Sequence, residues 1–155
     1  MLKSIEDNFD NLEVNELLTK HFVELRAASP EGSAHVLDIE GLKIPSIKFW
    51  SLWKNDKLIG CGALKFLNKE HGEFKSIRIH DNFRNKGQGI NVINHLINEA
   101  KKLKIKRLSI ETGAGEFFTP ARKLFKKTGF IVCNPFAHYK KDINSVYLSI
   151  LIDDI

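Results

Sequence analysis

A short glycine-rich run at the start of an amphipathic helix constrains this sequence more than any other feature. The run follows a strand-like stretch, Glu73–Ile79, and consists of Arg84, Asn85, Lys86, Gly87, Gln88 and Gly89. A helix that opens on Gly-x-Gly presents unpaired backbone N–H groups and the positive end of its dipole to an anion. Glycine has no Cβ, so the backbone can approach a phosphate closely. This run, called the glycine loop below, predicts a phosphate-binding helix N-terminus.

Two common phosphate-binding loops do not fit the glycine loop. The dinucleotide fingerprint G-x-G-x-x-G needs a third small residue where this chain has Val92. Its glycines also follow their strand directly, whereas here residues 81–86 intervene. The nucleoside-triphosphate motif G-x-x-x-x-G-K-[ST] occurs nowhere in the chain. Both classes of nucleotide-binding protein are therefore excluded.

Hydrophobic periodicity predicts a run of strands that later alternates with helices. Strands are predicted over residues 2–8, 47–53, 58–67, 73–79, 107–112, 130–132 and 146–152, and helices over residues 14–29, from 87 onward and over 120–128. This order is typical of a mixed sheet flanked by helices. No repeat or linker interrupts it, so we predict one domain that spans residues 1–155.

The composition is that of a soluble globular protein, with 43% hydrophobic and 28% charged residues. No apolar stretch approaches the roughly 20 residues that cross a bilayer, and no secretory signal is visible, so we expect a cytoplasmic protein without membrane contacts. Cys61 and Cys133 lack metal-ligand spacing, are interpreted as reduced buried thiols and predict no metal site. The net charge of +5 is compatible with nucleic acid, a phosphorylated cofactor or a plain solvated surface. Interleaved exposed aromatics and a helix-turn-helix pattern are missing, so no nucleic acid partner is expected.

At the glycine loop the sequence resembles the GNAT superfamily of acetyltransferases, whose members carry [RQ]-x-x-G-x-[GA] between a strand and a helix. The run Ala121–Phe130 is similar to a second family signature, A-x-x-L-Y-x-x-x-G-F. His71–Arg78 and Leu108–Gly113 resemble motifs of an uncharacterised bacterial branch of the family. The resemblance covers nearly the whole chain. It implies an α+β fold with a central mixed, mostly antiparallel, splayed sheet of about 6–7 strands and about four helices.

The resemblance also implies a single N-acetyltransferase domain that moves an acetyl group from acetyl-CoA, as co-substrate, to a primary amine. The strand before the glycine loop would pair its main chain with pantetheine. The implied cofactor-binding residues are Ile77, Arg78, Ile79, Arg84, Asn85, Lys86, Gly87, Gln88, Gly89, Ile90, Phe118 and Phe125.

The attacking amine must be neutral, and its deprotonation at pH 7 costs about 4 to 5 kcal/mol for a pKa near 10.4. A general base has to supply much of this. We favour Glu73, which lies 14 residues before Gly87, as the catalytic glutamate does in the histone-acetylating branch of the family. A surface carboxylate beside Lys75 is an equal alternative. Glu111, at the end of a strand, is a second candidate base, and His71 is a weaker one because His-Gly between strands is more typical of a turn.

The second signature departs from the family at the position of its usual general acid, where Phe125 replaces tyrosine. Phe118 likewise replaces a frequent asparagine. Either another residue such as Tyr139 protonates the thiolate, or the thiolate leaves unaided, since free thiols have a pKa near 8.5. Tyr139 as a packing residue is the favoured alternative.

The acceptor is expected to be a small-molecule amine, an amino-acid-like compound or an exposed protein amine. Residues 30–35 occupy the place of the family's substrate loop, where Arg26, Glu31 and His35 could line a polar pocket. A homodimer is compatible with the sequence. The alternative function is a non-catalytic acyl-CoA-binding or sensor module on the same fold, which the loss of the tyrosine at Phe125 slightly favours.

Overall fold

The computed structural model describes residues 1–30 and 38–152, and in these ranges seven strands form one sheet with helices on both faces. The strands are β1 (Lys3–Glu6), β2 (Ile47–Lys54), β3 (Lys57–Phe66), β4 (His71–Ile79), β5 (Arg107–Gly113), β6 (Ile131–Val132) and β7 (Ser145–Leu151). The helices are α1 (Leu12–Ala28), α2 (Ile39–Leu42), α3 (Gln88–Lys102) and α4 (Thr119–Lys127). Glu31 and His35 of the predicted substrate loop lie outside the described residues.

The spatial order of the strands is β1-β2-β3-β4-β5-β7-β6. Neighbouring strands are antiparallel except for β4 and β5, which run parallel. The helix α3 makes the crossover between these two strands, as a parallel pair requires. The predicted α+β fold with a mixed, mostly antiparallel sheet is confirmed.

Each face of the sheet buries a separate apolar cluster. On one face, α3 contributes Val92, Ile93, Leu96 and Ala100, which recur at helical spacing and pack against strand residues such as Phe74. On the other face, α1 buries Val14, Leu17, Leu18 and Phe22 against β2 and β3. The side chain of Asn11 accepts a hydrogen bond from the N–H of Val14 at 3.1 Å, which caps α1 two residues earlier than the apolar pattern predicted.

The face of β4, β5 and β7 that lies on the α1 side of the sheet carries polar side chains. Glu73, Ser109 and Ser149 lie side by side across the three strands in the register of the sheet, and all three are buried. The chain between β6 and β7 folds back towards this face and brings Tyr139 to Glu73. This part of the sheet therefore carries buried polar side chains, whereas the rest of the sheet packs into the apolar clusters.

The predicted turn at His71 is wrong. His71 is the first residue of β4 and pairs with Arg107, because the turn that precedes it is made by Asn68, whose side chain accepts from the N–H groups of Glu70 and His71. In the part of the chain that the structure describes, none of the helices is both long and apolar enough to cross a membrane.

Candidate active site

The strands β4 and β5 pair over only three residues and then separate. The pairs are His71 with Arg107, Gly72 with Leu108 and Glu73 with Ser109. Beyond them, β4 continues to pair with β3 as far as Ile79, and β5 continues to pair with β7. Among the described residues, residues 74–79 thus have no strand partner on the β5 side. A gap opens in the sheet at Glu73, with one edge of the β4 main chain facing it.

A bulge in β4 lies just beyond the point of separation. Ser76 adopts a positive φ of 53°, and the register with β3 shifts between Cys61 and Ala63. A bulge bends its strand and increases the local twist, and bulges are common beside active sites.

Glu73 lies at the point where the gap begins and is 1% exposed. Tyr139 donates a hydrogen bond of 2.6 Å to Oε2, and Nζ of Lys75 lies 3.2 Å from the same oxygen. Oε1 has no hydrogen-bond partner among the described residues. A buried carboxylate is tolerated only with such partners. The interpretation of Glu73 as a surface carboxylate is wrong, because the side chain is buried.

Tyr139 connects Glu73 to Lys75. Its hydroxyl accepts a hydrogen bond of 3.1 Å from Nζ of Lys75 while it donates to Glu73. Burial, and then the negative charge of Glu73 and the hydrogen bond to it, raise the pKa of Tyr139 well above its ordinary value. The phenol therefore stays protonated at neutral pH and acts as a hydrogen-bond donor.

Aromatic contacts position the Tyr139 ring. Phe136 meets it edge-on at 5.2 Å between centroids, and His138 stacks on it at 4.9 Å. Tyr147 donates a hydrogen bond of 2.8 Å to the carbonyl of Lys140, which fixes the adjoining chain to β7. These contacts hold Tyr139 beside Glu73, although the two residues are 66 positions apart in the sequence.

Glu111 lies two residues beyond Ser109 on β5 and therefore on the same face of the sheet as Glu73. Ser145 donates a hydrogen bond of 2.8 Å to its Oε2. His71 faces the paired end of the gap, where its Nε2 lies 2.7 Å from Oγ of Ser109. Burial and the charge of Arg107 lower the pKa of His71, although Glu73 opposes this. The structure thus brings the three predicted base candidates to one face.

The glycine loop ends at the N-terminus of α3. Gly87 has a φ of 79° and precedes the first helical residue, with no side chain capping the helix. A Cβ on Gly89 would lie 2.7 Å from a methyl carbon of Leu124, so this glycine permits close packing of α3 against α4. The sequence predicted a phosphate-binding role for both glycines and did not reveal this packing role of Gly89.

The cations of the glycine loop lie at the surface. Nε of Arg84 donates a hydrogen bond of 3.3 Å to the carbonyl of Ile79 and lies 3.4 Å from Asp81. Asn85, with a φ of 59°, and Lys86 are also exposed, Ile90 is 36% exposed, and Gln88 is half-buried. The glycine loop is thus open to an anionic ligand from solvent.

Three of the predicted cofactor-binding residues have side chains packed inside the protein. Phe125 is 4% exposed and meets Phe130 edge-on at 5.4 Å, and Phe118 packs on Gly113. Arg78 is buried towards α1, on the face of β4 opposite Ile77 and Ile79, which pack on the α3 side. A cofactor contact of Arg78 would therefore involve its main chain.

Lys75 was not among the predicted site residues. Strand alternation could have found it, because residues 73 and 75 share a face of β4. Its proximity to Tyr139 carries no local signal, since the two residues are 64 positions apart. In the described residues, no group of three or more His, Cys, Asp or Glu side chains is placed to hold a metal ion.

Residues 12–130 match the model of the acetyltransferase (GNAT) family. The chain is 44% identical over 143 residues to the uncharacterized N-acetyltransferase YsnE of Bacillus subtilis, covering 92% of this chain and 95% of that protein. It is 37% identical to the uncharacterized N-acetyltransferase YedL of Escherichia coli, with 94% and 92% covered. The fold is similar to that of the Campylobacter jejuni N-acetyltransferase PseH in complex with acetyl coenzyme A, with a TM-score of 0.69, 19% identity, and 99% and 100% of the two chains covered.

Proposed function

Because the chain belongs to the acetyltransferase (GNAT) family and is an N-acetyltransferase of the GNAT type, we propose that it moves the acetyl group of acetyl-CoA to a primary amine with Glu73 as the general base. The observation that carries the proposal is the buried carboxylate of Glu73, with an unpartnered Oε1, at the point where β4 and β5 separate. The whole of residues 1–155 would act as one domain in this reaction.

The donor would bind in and beyond the gap between β4 and β5. Its pyrophosphate would lie over Gly87–Ile90, where the uncapped N–H groups of α3 and the exposed Arg84 and Lys86 supply positive potential. The pantetheine amides would pair with the β4 main chain at residues 77–79, which lack a strand partner on that side within the described residues. Acetyl-CoA bound to the similarly folded PseH supports this co-substrate.

Glu73 would take the proton of the amine through Oε1. The amine nitrogen then attacks the thioester carbonyl carbon, the C–S bond breaks, and CoA leaves as a thiolate that takes up the second proton, which the nitrogen loses as the amide forms. A main-chain N–H at Ile79 would stabilise the oxyanion. Tyr139 and Lys75, both on Oε2, would hold the carboxylate in place and keep its other oxygen directed to the acceptor.

Tyr139 is the better candidate for a supporting role than for a general acid. Its hydroxyl proton is engaged by Glu73 at 2.6 Å, and its pKa is raised, so it donates to the base in the resting enzyme. Phe125 carries no acidic proton and lies in the core. The thiolate would therefore leave with little help, as its low basicity allows. Glu111 would contact the acceptor amine from β5.

A turnover assay with purified protein tests the proposal. Release of free CoA thiol from acetyl-CoA is followed with a panel of small amines, amino acids and polyamines, and products are identified by mass spectrometry. Acetylation of at least one amine that is lost in Glu73→Gln supports the proposal. Tight CoA binding without turnover of any amine would favour a sensor module on the same fold.

A further inference from the structure

An ion cluster connects α1 to the chain just before the glycine loop. At its centre is Arg78, near the end of β4, whose side chain is 2% exposed. Its guanidinium donates to Glu24 of α1 at 2.6 Å and to Asp81 at 3.2 Å. A buried guanidinium needs such carboxylates, because an uncompensated charge inside a protein is strongly destabilising.

Asp81 receives cations from three directions. Besides Arg78, Lys20 of α1 forms an ion pair with it, and Nε of Arg84 lies 3.4 Å away. The hydrogen bond from Lys20, followed by the charges of Arg84 and Arg78, holds the pKa of Asp81 below its ordinary value. Asp81 is thus ionised at neutral pH and joined both to the helix α1 and to the first residue of the glycine loop.

The chain between Asp81 and α3 has few other anchors. A 3₁₀ turn at Asp81–Phe83 is fixed by His80, whose Nδ1 accepts from the N–H of Asn82. Asn85 and Gly87 both adopt positive φ, and no side chain caps α3. The charged contacts of Asp81 join this exposed stretch to α1, whereas Phe83 joins it to the apolar cluster on the α3 side of the sheet.

We propose that Glu24, Arg78 and Asp81 are positioning residues that hold the glycine loop against α1 in the conformation that binds the phosphates of CoA. The inference rests on the proposed function, because it assumes that the glycine loop binds the pyrophosphate. Asp81 acts through Arg84, and Arg78 acts through Asp81. None of the three side chains needs to touch the donor.

The exposure of Asp81, together with the 2.6 Å hydrogen bond that Arg78 keeps to Glu24, separates this role of Asp81 from a role in stability. The side chains of Asp81 and Lys20 are 38% and 54% exposed, and exposed ion pairs contribute little to folding. Loss of the Asp81 charge should therefore leave the fold intact. It should instead lower the fraction of molecules whose glycine loop is competent, and the apparent Kd rises as that fraction falls.

The test compares Asp81→Asn and Glu24→Gln with wild type. A matched control is Glu6→Gln, which removes a surface ion pair with Lys48 at 3.4 Å near the far edge of the sheet. CoA affinity is measured by calorimetry, the melting temperature without ligand by calorimetric scanning, and amide exchange of residues 80–90 by mass spectrometry. We expect Asp81→Asn to raise the Kd for CoA by about tenfold, with faster exchange confined to residues 80–90 and an unchanged melting temperature.

Each other outcome has a definite meaning. Wild-type affinity in Asp81→Asn and Glu24→Gln would overturn the inference, as would a loss of affinity in Asp81→Asn accompanied by a lower melting temperature and faster exchange throughout the chain. An equal loss in Glu6→Gln would also overturn it. Absence of CoA binding in the wild-type protein would instead contradict the proposed function. Partial recovery of affinity in Asp81→Glu, which restores the charge, would support the positioning role.

Discussion

The hydroxyl of Tyr139 donates a 2.6 Å hydrogen bond to Oε2 of Glu73, while Oε1 of the same carboxylate has no partner among the described residues. The two oxygens are therefore inequivalent. One is held by Tyr139 and Lys75, and the other is buried and available. An unpaired buried acceptor is costly in a folded protein, and a catalytic role is one explanation for its presence. This asymmetry is what a fixed general base requires.

Replacing Glu73 by Gln should lower kcat at neutral pH by roughly 10²- to 10⁴-fold, the usual contribution of general base catalysis. The amide keeps the shape of the side chain but cannot take the proton of the amine. The loss should shrink as the pH rises towards the pKa of the acceptor, because neutral amine then forms without help. Steady-state rates between pH 6 and pH 10 measure this. If Glu73→Gln kept nearly the wild-type kcat while Glu111→Gln lost most of it, the general base would be Glu111 on β5 instead.

Replacing Tyr139 by Phe should lower kcat by about 10- to 100-fold, since a hydrogen bond to a charged group contributes about 1.5–3 kcal/mol. The effect should fall on kcat and leave the CoA affinity unchanged, because Tyr139 lies at Glu73 and not at the glycine loop. The matched control is Tyr147→Phe, which removes a neighbouring phenol that donates to a main-chain carbonyl. Equal losses in both variants would show that only the packing of the aromatic cluster matters.

Local sequence patterns predicted the sheet and helices well because the chain obeys them. Short apolar runs mark β2, β3 and β7, and the apolar stripe of α3 is buried as its spacing indicates. The helix boundary at Leu12 was missed because the capping residue Asn11 lies before the apolar stripe begins. Propensity alone does not reveal such a cap.

The candidate site was predictable only where its residues are local in sequence. Glu73 and the glycine loop belong to one strand–loop–helix unit, so spacing along the chain could relate them. The contact of Tyr139 with Glu73 joins residues 66 positions apart, and the ion pair of Glu24 with Arg78 joins residues 54 positions apart. Both contacts depend on how the chain folds back over the sheet. No sequence period encodes those contacts. The bulge at Ser76, with a positive φ at a non-glycine residue, was likewise invisible.

Replacing Gly87 by Ala should weaken CoA binding through the backbone alone. A Cβ there would meet no atom within 4 Å, but the φ of 79° is unfavourable for any L-residue with a side chain, by roughly 1–2 kcal/mol. The strain should appear as a lower free energy of unfolding by about that amount, or as a shifted glycine loop with reduced affinity. Urea unfolding and calorimetry with CoA measure the two effects.

Gly115→Ala is the matched control for that substitution. Gly115 has a φ of −70° and equally open surroundings, so alanine is tolerated there without strain. The two variants add the same methyl group and differ only in backbone conformation. If Gly115→Ala and Gly87→Ala behaved alike in both measurements, the left-handed conformation of Gly87 would have no role in holding the glycine loop.

His21 should make the stability of the protein depend on pH in the weakly acidic range. It lies on the buried face of α1 and is 5% exposed, and its Nδ1 has no hydrogen-bond partner among the described residues. Burial, followed by the charge of Arg78, lowers its pKa from 6.5 to about 4, although Glu24 opposes the shift. The folded protein therefore keeps His21 neutral under conditions in which the unfolded chain protonates it.

The direction of this pH dependence follows from proton linkage, since the free energy of unfolding rises with pH wherever the unfolded state binds more protons than the folded state. Between pH 4 and pH 6.5 the unfolded chain carries the extra proton on His21, so the free energy of unfolding should fall as the pH is lowered through this window. The slope for one proton is about 1.4 kcal/mol per pH unit. Above pH 6.5 neither state is protonated at His21, and this contribution should be constant.

Urea unfolding of wild type and His21→Leu at several pH values between 4 and 8 measures the effect. Leucine keeps an apolar side chain of similar length against Phe22 and removes the titrating group. The difference in unfolding free energy between the two proteins should shift in favour of the variant as the pH falls below 6.5. Glu24 and Asp81, whose pKa values are lowered, lose their stabilising charge only at still lower pH, and both remain in the variant. Parallel pH profiles for the two proteins would show that His21 has the same pKa in the folded and the unfolded state, and would contradict the prediction.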